Sequence, residues 1–150
     1  MSIKILVIDD GEAIRKSFIL ALEGTGCQVE TAESGEKGIV KAREAKFDLI
    51  FLDLRMPGLN GVETLRELWK MGQTVPIYIT TAFYDDFRDQ LQSAADDLIS
   101  FYLLKKPVDM DEIRSIARVV SGHPIRFQST NVLENRQLAE EGIRENDQGS

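Results

Sequence analysis

The sequence holds one cysteine and one histidine, and no apolar run in it approaches the roughly 18 residues of a membrane span. Cys27 alone cannot form an intrachain disulfide or a cysteine-based metal site, so a reducing, cytoplasmic setting is expected. His123 lies beside Pro124 in a polar stretch and reads as a solvated loop residue rather than a catalyst. The start, Met1-Ser2-Ile3-Lys4-Ile5, lacks the basic region and apolar stretch of a secretory signal. Basic clusters are also missing: 18 lysines and arginines face 25 acids, giving a net charge of −7. Direct binding to nucleic acid or to an anionic membrane is therefore not expected, and the acidity serves solubility.

What is present is enough apolar material, 43% of 150 residues, for one real core and one domain. Five strand-like runs can be read at 3–9, 27–32, 47–53, 76–81 and 101–105, each followed by a helical pattern. The spacing of a strand, a helix and two short loops recurs throughout, which predicts a parallel α/β sheet with right-handed crossovers. The first and third runs are almost wholly apolar, as central strands covered on both faces should be. The predicted helical stripes are Ile14, Phe18, Ala21 and Leu22, then Ile39 and Ala42, then Val62, Leu65 and Leu68. Phe87, Leu91, Ala94 and Leu98 make the fourth, and Ile113, Ile116, Ala117 and Val120 the fifth. Gly24 suits a left-handed cap after the first helix, and Ser34 suits the N-cap of the second. Trp69 is expected beside the third stripe, half exposed.

From residue 122 the character changes. Ser121-Gly122-His123-Pro124 breaks the last helix, and residues 122–150 are too poor in apolar side chains to build their own core. They read as a polar tail or linker, with 131–146 able to form one weak helix. Residues 1–121 form the domain.

The strand ends carry the chemistry. Asp9-Asp10 closes the first run, Asp53 the third, Thr80-Thr81 the fourth and Lys105-Lys106-Pro107 the fifth. A parallel sheet puts all these ends on one edge, where open α/β folds bind ligands. Carboxylates so close to one another call for a hard divalent cation, and Mg2+ prefers oxygen ligands. A carboxylate beside that cation can accept a phosphoryl group, with a lysine and a hydroxyl neutralising the other oxygens. Taken singly, each part has a plainer use: Asp9-Asp10 could cap the first helix, Asp10 in particular, and Arg55-Met56-Pro57-Gly58 is a turn on any reading.

Four stretches together resemble the receiver domains of two-component response regulators. They are Ile5-Leu6-Val7-Ile8-Asp9-Asp10, Asp48 to Gly61 around Asp53, Ile79-Thr80-Thr81-Ala82, and Lys106-Pro107, and the likeness runs from about Lys4 to Ser121. The resemblance implies a flavodoxin-like, doubly wound five-stranded parallel sheet in the order 2-1-3-4-5, flanked by five helices. It implies that Asp53 is the phosphoacceptor, fed by a sensor histidine kinase or a phosphotransfer protein. Asp10 would bind Mg2+ directly and Asp9 mainly through water, with Asp53 and the main-chain carbonyl of Arg55 completing the protein ligands. Thr81 and Lys106 would each hold a phosphoryl oxygen, the lysine preceding a cis bond to Pro107. The output partner would read the fourth helix, fifth strand and fifth helix, and a homodimer is compatible with this. Such a domain is not an enzyme toward other molecules, since it catalyses only its own phosphorylation and dephosphorylation.

Two positions depart from the family pattern. Leu103 stands three residues before Lys106, where many receivers carry a switch aromatic, with Phe101 and Tyr102 just upstream. Gly11 follows the acidic pair where a larger acid is frequent. Three other classes share parts of the pattern. An aspartyl-phosphate phosphatase needs an acid two residues after its nucleophile, where this chain has Arg55. A flavin carrier would want hydroxyls and amides in loops that here hold acids. A degenerate receiver, binding partners without phosphorylation, would keep the fold and lose the site.

Overall fold

The computed structural model describes residues 2–122 and 132–134. Strands β1 (Lys4–Ile8), β2 (Gln28–Ala32), β3 (Leu49–Asp53), β4 (Ile77–Thr81) and β5 (Tyr102–Lys105) alternate with helices α1 (Glu12–Leu22), α2 (Gly35–Glu44), α3 (Gly61–Lys70), α4 (Arg88–Asp96) and α5 (Met110–Val120). The five strands are parallel in the order 2-1-3-4-5, the flavodoxin-like arrangement. A 3-10 turn, Tyr84–Phe87, leads into α4.

Alternation along the strands divides the core in two. Leu6, Ile8, Ile50, Leu52, Ile77, Ile79 and Leu103 face α2, α3 and α4, where they meet Ile39, Ala42, Val62, Leu65, Leu68, Leu91 and Ala94. Ile5, Val7, Leu49, Phe51, Tyr78 and Leu104 face the other way, onto Phe18, Ala21 and Leu22 of α1 and Ile113, Ile116 and Ala117 of α5. Both faces of the sheet are thus covered, which explains why β1 and β3 read as unbroken apolar runs. On the α1/α5 face four rings form a ladder across the strands. Phe18 meets Phe51 at 4.8 Å, Phe51 meets Tyr78 at 5.9 Å, and Tyr78 stacks on Tyr102 at 4.7 Å between centroids.

Helix signals resolve as local chemistry. Ser34 accepts from the Lys37 amide at 3.1 Å, and Asn60 and Glu63 form a reciprocal capping box at the start of α3. Gly24 takes a φ of +75° just beyond α1. Trp69 is 38% exposed at the edge of the third stripe.

Three expectations need correction. Leu98 does not belong to the buried stripe of α4: the helix stops at Asp96, and Leu98 takes a φ of +63° with 72% exposure. Ile99 is the buried residue there instead. Asp10 does not cap α1; the local bond is made by Asp9, whose Oδ1 accepts from the Gly11 amide at 2.8 Å. Finally, Val132–Glu134 within the expected helix of the tail is a strand, β6, antiparallel to β5 with Leu103 opposite Leu133. The rest of that helix expectation, and His123, lie outside the described residues. Pairing with β6 gives the outer edge of β5 backbone partners.

Candidate functional site

At the carboxyl edge of the sheet the two most deeply placed acids come from neighbouring strands. β1 and β3 are hydrogen-bonded partners, so Asp9, just past β1, and Asp53, the last residue of β3, are brought side by side. Asp9 is 2% exposed and Asp53 6%. Asp10 is exposed, yet one carboxylate oxygen from each of the three acids falls within 4.8 Å of the others. An all-oxygen donor set of this size fits a hard cation such as Mg2+ and offers nothing to a softer metal.

Lys106 binds both buried acids, reaching Asp53 Oδ1 at 3.0 Å and Asp9 Oδ2 at 3.3 Å. Its place is set by backbone: β5 pairs with β4, the Lys106 amide donates to the Thr81 carbonyl at 2.9 Å, and the bond to Pro107 is cis. Burial, with the charges of Asp9 and Asp10, raises the Asp53 carboxyl against the opposing pull of Lys106, to about 6. Burial alone would lower the Lys106 ammonium. Its bonds to Asp53 and Asp9 outweigh that and leave it raised.

Thr80 is opposite Asp53 in the β3–β4 register, and Thr81 follows it, both buried. Thr81 Oγ1 accepts from the Phe83 amide at 2.8 Å. A cleft of about 430 Å³ opens here, between Thr81–Asp86 on one side and Lys105-Lys106 on the other.

The loop after Asp53 is held from four directions. Leu54 N–H donates to Thr80 O at 3.1 Å, and Gly61 N–H donates to Leu54 O at 2.7 Å. The Leu59 amide donates to Glu36 Oε1 at 2.7 Å, and the capping box at Asn60 fixes the exit. Arg55 reaches outward: its guanidinium lies 4.5 Å over the Phe83 ring and 3.8 Å from Asp86 Oδ2.

All the residues singled out in the sequence, Asp9, Asp10, Asp53, Arg55, Thr81 and Lys106, therefore gather at one sheet edge. Two supports of the site escape a sequence reading. Arg15 Nη1 donates to the Asp9 carbonyl at 2.7 Å, and Glu36 anchors Leu59 across 23 positions. Both bonds end on main-chain atoms, which leave no signature in side-chain pattern.

A family model, the response regulator receiver domain, matches residues 5–118. The chain belongs to that family. Among curated relatives, a transcriptional regulatory protein, AfsQ1 of Streptomyces coelicolor, is 41% identical over 97 residues, covering 63% of this chain and 43% of its own. The KDP operon transcriptional regulatory protein KdpE of Escherichia coli is 35% identical over 117 residues, 77% of this chain and 49% of its own. The chain thus spans half or less of those relatives. A solved structure of the Vibrio cholerae chemotaxis protein CheY4 superposes with a TM-score of 0.68 at 27% identity, covering 80% of this chain and 99% of CheY4. Arg55, a base two residues after Asp53, also stands against the phosphatase reading.

Proposed function

We propose that this chain is a phosphorylation-controlled switch whose acceptor is Asp53, and that the buried Asp9–Lys106–Asp53 arrangement is the observation that carries it. Near neutral pH a carboxyl titrating at about 6 is mostly ionised and available as a nucleophile. An Asp53 oxygen attacks the phosphorus of a phosphohistidine, the new P–O bond replaces the P–N bond, and the freed imidazole takes up a proton. Lys106, already 3.0 Å from Asp53, turns to a phosphoryl oxygen, and the Thr81 hydroxyl donates to another. Asp10, Asp53 and the Arg55 carbonyl, with Asp9 mainly through water, would hold Mg2+, which would supply the remaining positive charge.

The donor is a sensor histidine kinase or a phosphotransfer protein in the cytoplasm. Residues 1–121 work as the receiver and 122–150 as a tail or linker, with β6 resting on β5. No helix among the described residues is long and apolar enough to cross a membrane. Output passes through the surface of α4, β5 and α5 to a protein or domain.

Incubation with Mg2+ and acetyl phosphate is expected to add one phosphoryl group by mass spectrometry, and Asp53→Asn is expected to add none. A wild-type chain that stays unmodified would refute the acceptor assignment.

The lifetime of the phosphorylated form follows from the same geometry. Arg55, two residues after Asp53, packs on the Phe83 ring, two residues after Thr81, and the bulk of this pair would slow an attacking water. Replacing both by alanine is expected to shorten the half-life of the phosphorylated protein in Mg2+. An unchanged decay would sink this.

A further inference from the structure

We propose that Glu36 is a positioning residue for the metal site: its bond to the Leu59 amide, made from the first turn of α2, sets how tightly the loop after Asp53 can hold Mg2+. This rests on the Mg2+ site of the proposed function. Glu36 is exposed and is not one of the three clustered acids, so its effect on the site is indirect.

The segment that joins β2 to α2 touches both halves of that site. At one end the Ala32 carbonyl accepts from the Asp9 amide at 3.0 Å. At the other, Glu36 Oε1 accepts from the Leu59 amide at 2.7 Å. Ser34, between them, caps α2 by accepting from the Lys37 amide, so both contacts lie on one short stretch with a fixed path. Residues 32–36 therefore bridge the strand end that carries Asp9 and the loop that carries Arg55.

The loop shows what this bridge controls. Leu54 is fixed on both sides, its amide to the Thr80 carbonyl and its carbonyl to the Gly61 amide. Further along, Leu59 is fixed by Glu36 and Asn60 by the capping box. Arg55, whose carbonyl is the proposed ligand, lies between these anchors, in a stretch that also contains Gly58 at a φ of +74°. Glycine adds backbone freedom there, and the Glu36 bond takes it away. The approach of α2 is close on both sides. A Cβ on Gly35 would lie 3.3 Å from the Leu59 carbonyl oxygen, and one on Gly58 would lie 2.9 Å from Glu36 Oε1. A carboxylate bonded to an amide holds more firmly than a neutral acceptor. Mg2+ demands near-ideal octahedral geometry, so a carbonyl on a loosened loop is a poorer ligand.

The test is calorimetric titration of the full, unphosphorylated chain with Mg2+, with NMR exchange of the Leu59 amide measured alongside. Glu36→Ala is expected to weaken Mg2+ binding about tenfold, the lower end of what removing a support of a metal ligand costs. Its Leu59 amide should exchange faster. Glu36→Gln keeps an oxygen for that amide and should bind Mg2+ as wild type does. Gln73→Ala, which cuts the Gln73 Nε2 bond to the Ala42 carbonyl at the far end of α2, should leave the affinity unchanged. Wild-type affinity in Glu36→Ala would overturn the proposal. So would a glutamine variant as weak as the alanine one, which would assign the effect to charge. An equal loss in Gln73→Ala would overturn it too, by assigning the effect to a general loosening of α2. A wild type that binds no Mg2+ would refute the acid cluster as a metal site, and this inference with it.

Discussion

Asp53→Asn is expected to make the metal-free protein more stable above pH 6, although it removes the proposed phosphoacceptor. In the unfolded chain this carboxyl titrates near 3.8, and in the folded protein near 6. Between those values the folded state holds a proton that the unfolded state has lost. Stability contributed by this group therefore falls as pH rises through the window from about 4 to about 6, and the loss is complete above it. A carboxyl raised this far loses about 3 kcal/mol across that window. Asparagine never ionises, keeps an oxygen for Lys106, and escapes the loss. Urea midpoints for the two proteins should be similar near pH 4 and separate in favour of the variant near pH 7.5. Mg2+ should narrow or reverse the difference, because a cation among Asp9, Asp10 and Asp53 stabilises the wild type more. A variant less stable than wild type near pH 7.5 would show that the ionised acid is not under strain.

The second large effect is expected at Gly61. A Cβ there would lie 2.5 Å from the Asp53 carbonyl oxygen and 2.7 Å from Leu54 Cα. These are backbone atoms and cannot rotate aside. The Gly61 amide also closes the loop on Leu54 O at 2.7 Å, so retreat would break a buried hydrogen bond. Gly61→Ala should cost about 3 kcal/mol, the upper range for inserting a methyl group into a packed site. The segment forced to yield is 53–55, so phosphoryl uptake should fall further than the folded fraction alone explains. Gly38→Ala is the informative contrast. Its Cβ would lie 2.4 Å from Cδ1 and 2.7 Å from Cγ1 of the buried Ile8, so the obstruction there is a side chain and not backbone. Denaturation and mass spectrometry on both variants would distinguish backbone from side-chain obstruction, and a harmless Gly61→Ala would contradict the packing described.

The alternation of apolar runs and helical stripes makes the sheet legible from the chain. The ends of β1, β3, β4 and β5 fall within a residue of the expected ones. The convergence of Asp9, Asp53 and Lys106 needs only the parallel topology, since strand direction alone puts those residues on one edge. Leu98 defeats the pattern because helical periodicity continues past the point where the backbone turns left-handed. Asp9 rather than Asp10 bonds the Gly11 amide, a choice between adjacent identical residues that composition cannot make. Strand β6 is hidden in a polar stretch, since a short edge strand is set by the neighbour it pairs with rather than by its own propensity. Glu36 and Arg15 act on main-chain atoms of distant loops, and the clasp of Arg55 on Phe83 and Asp86 joins two turns. None of these pairings repeats with a period.

The ring ladder from Phe18 to Tyr102 gives the protein an optical signal of its own. The single tryptophan, Trp69, stands outside the ladder on α3, so the two stacked tyrosines report separately from it. Tyr102 lies on β5 opposite Glu134 of β6, and its stacking partner Tyr78 is on the strand that ends in Thr81. A shift of β5 against β4, or the departure of β6, would alter the coupling between those two phenols. Near-ultraviolet circular dichroism can therefore follow the β4–β5 side of the sheet in unlabelled protein, while tryptophan emission follows α3.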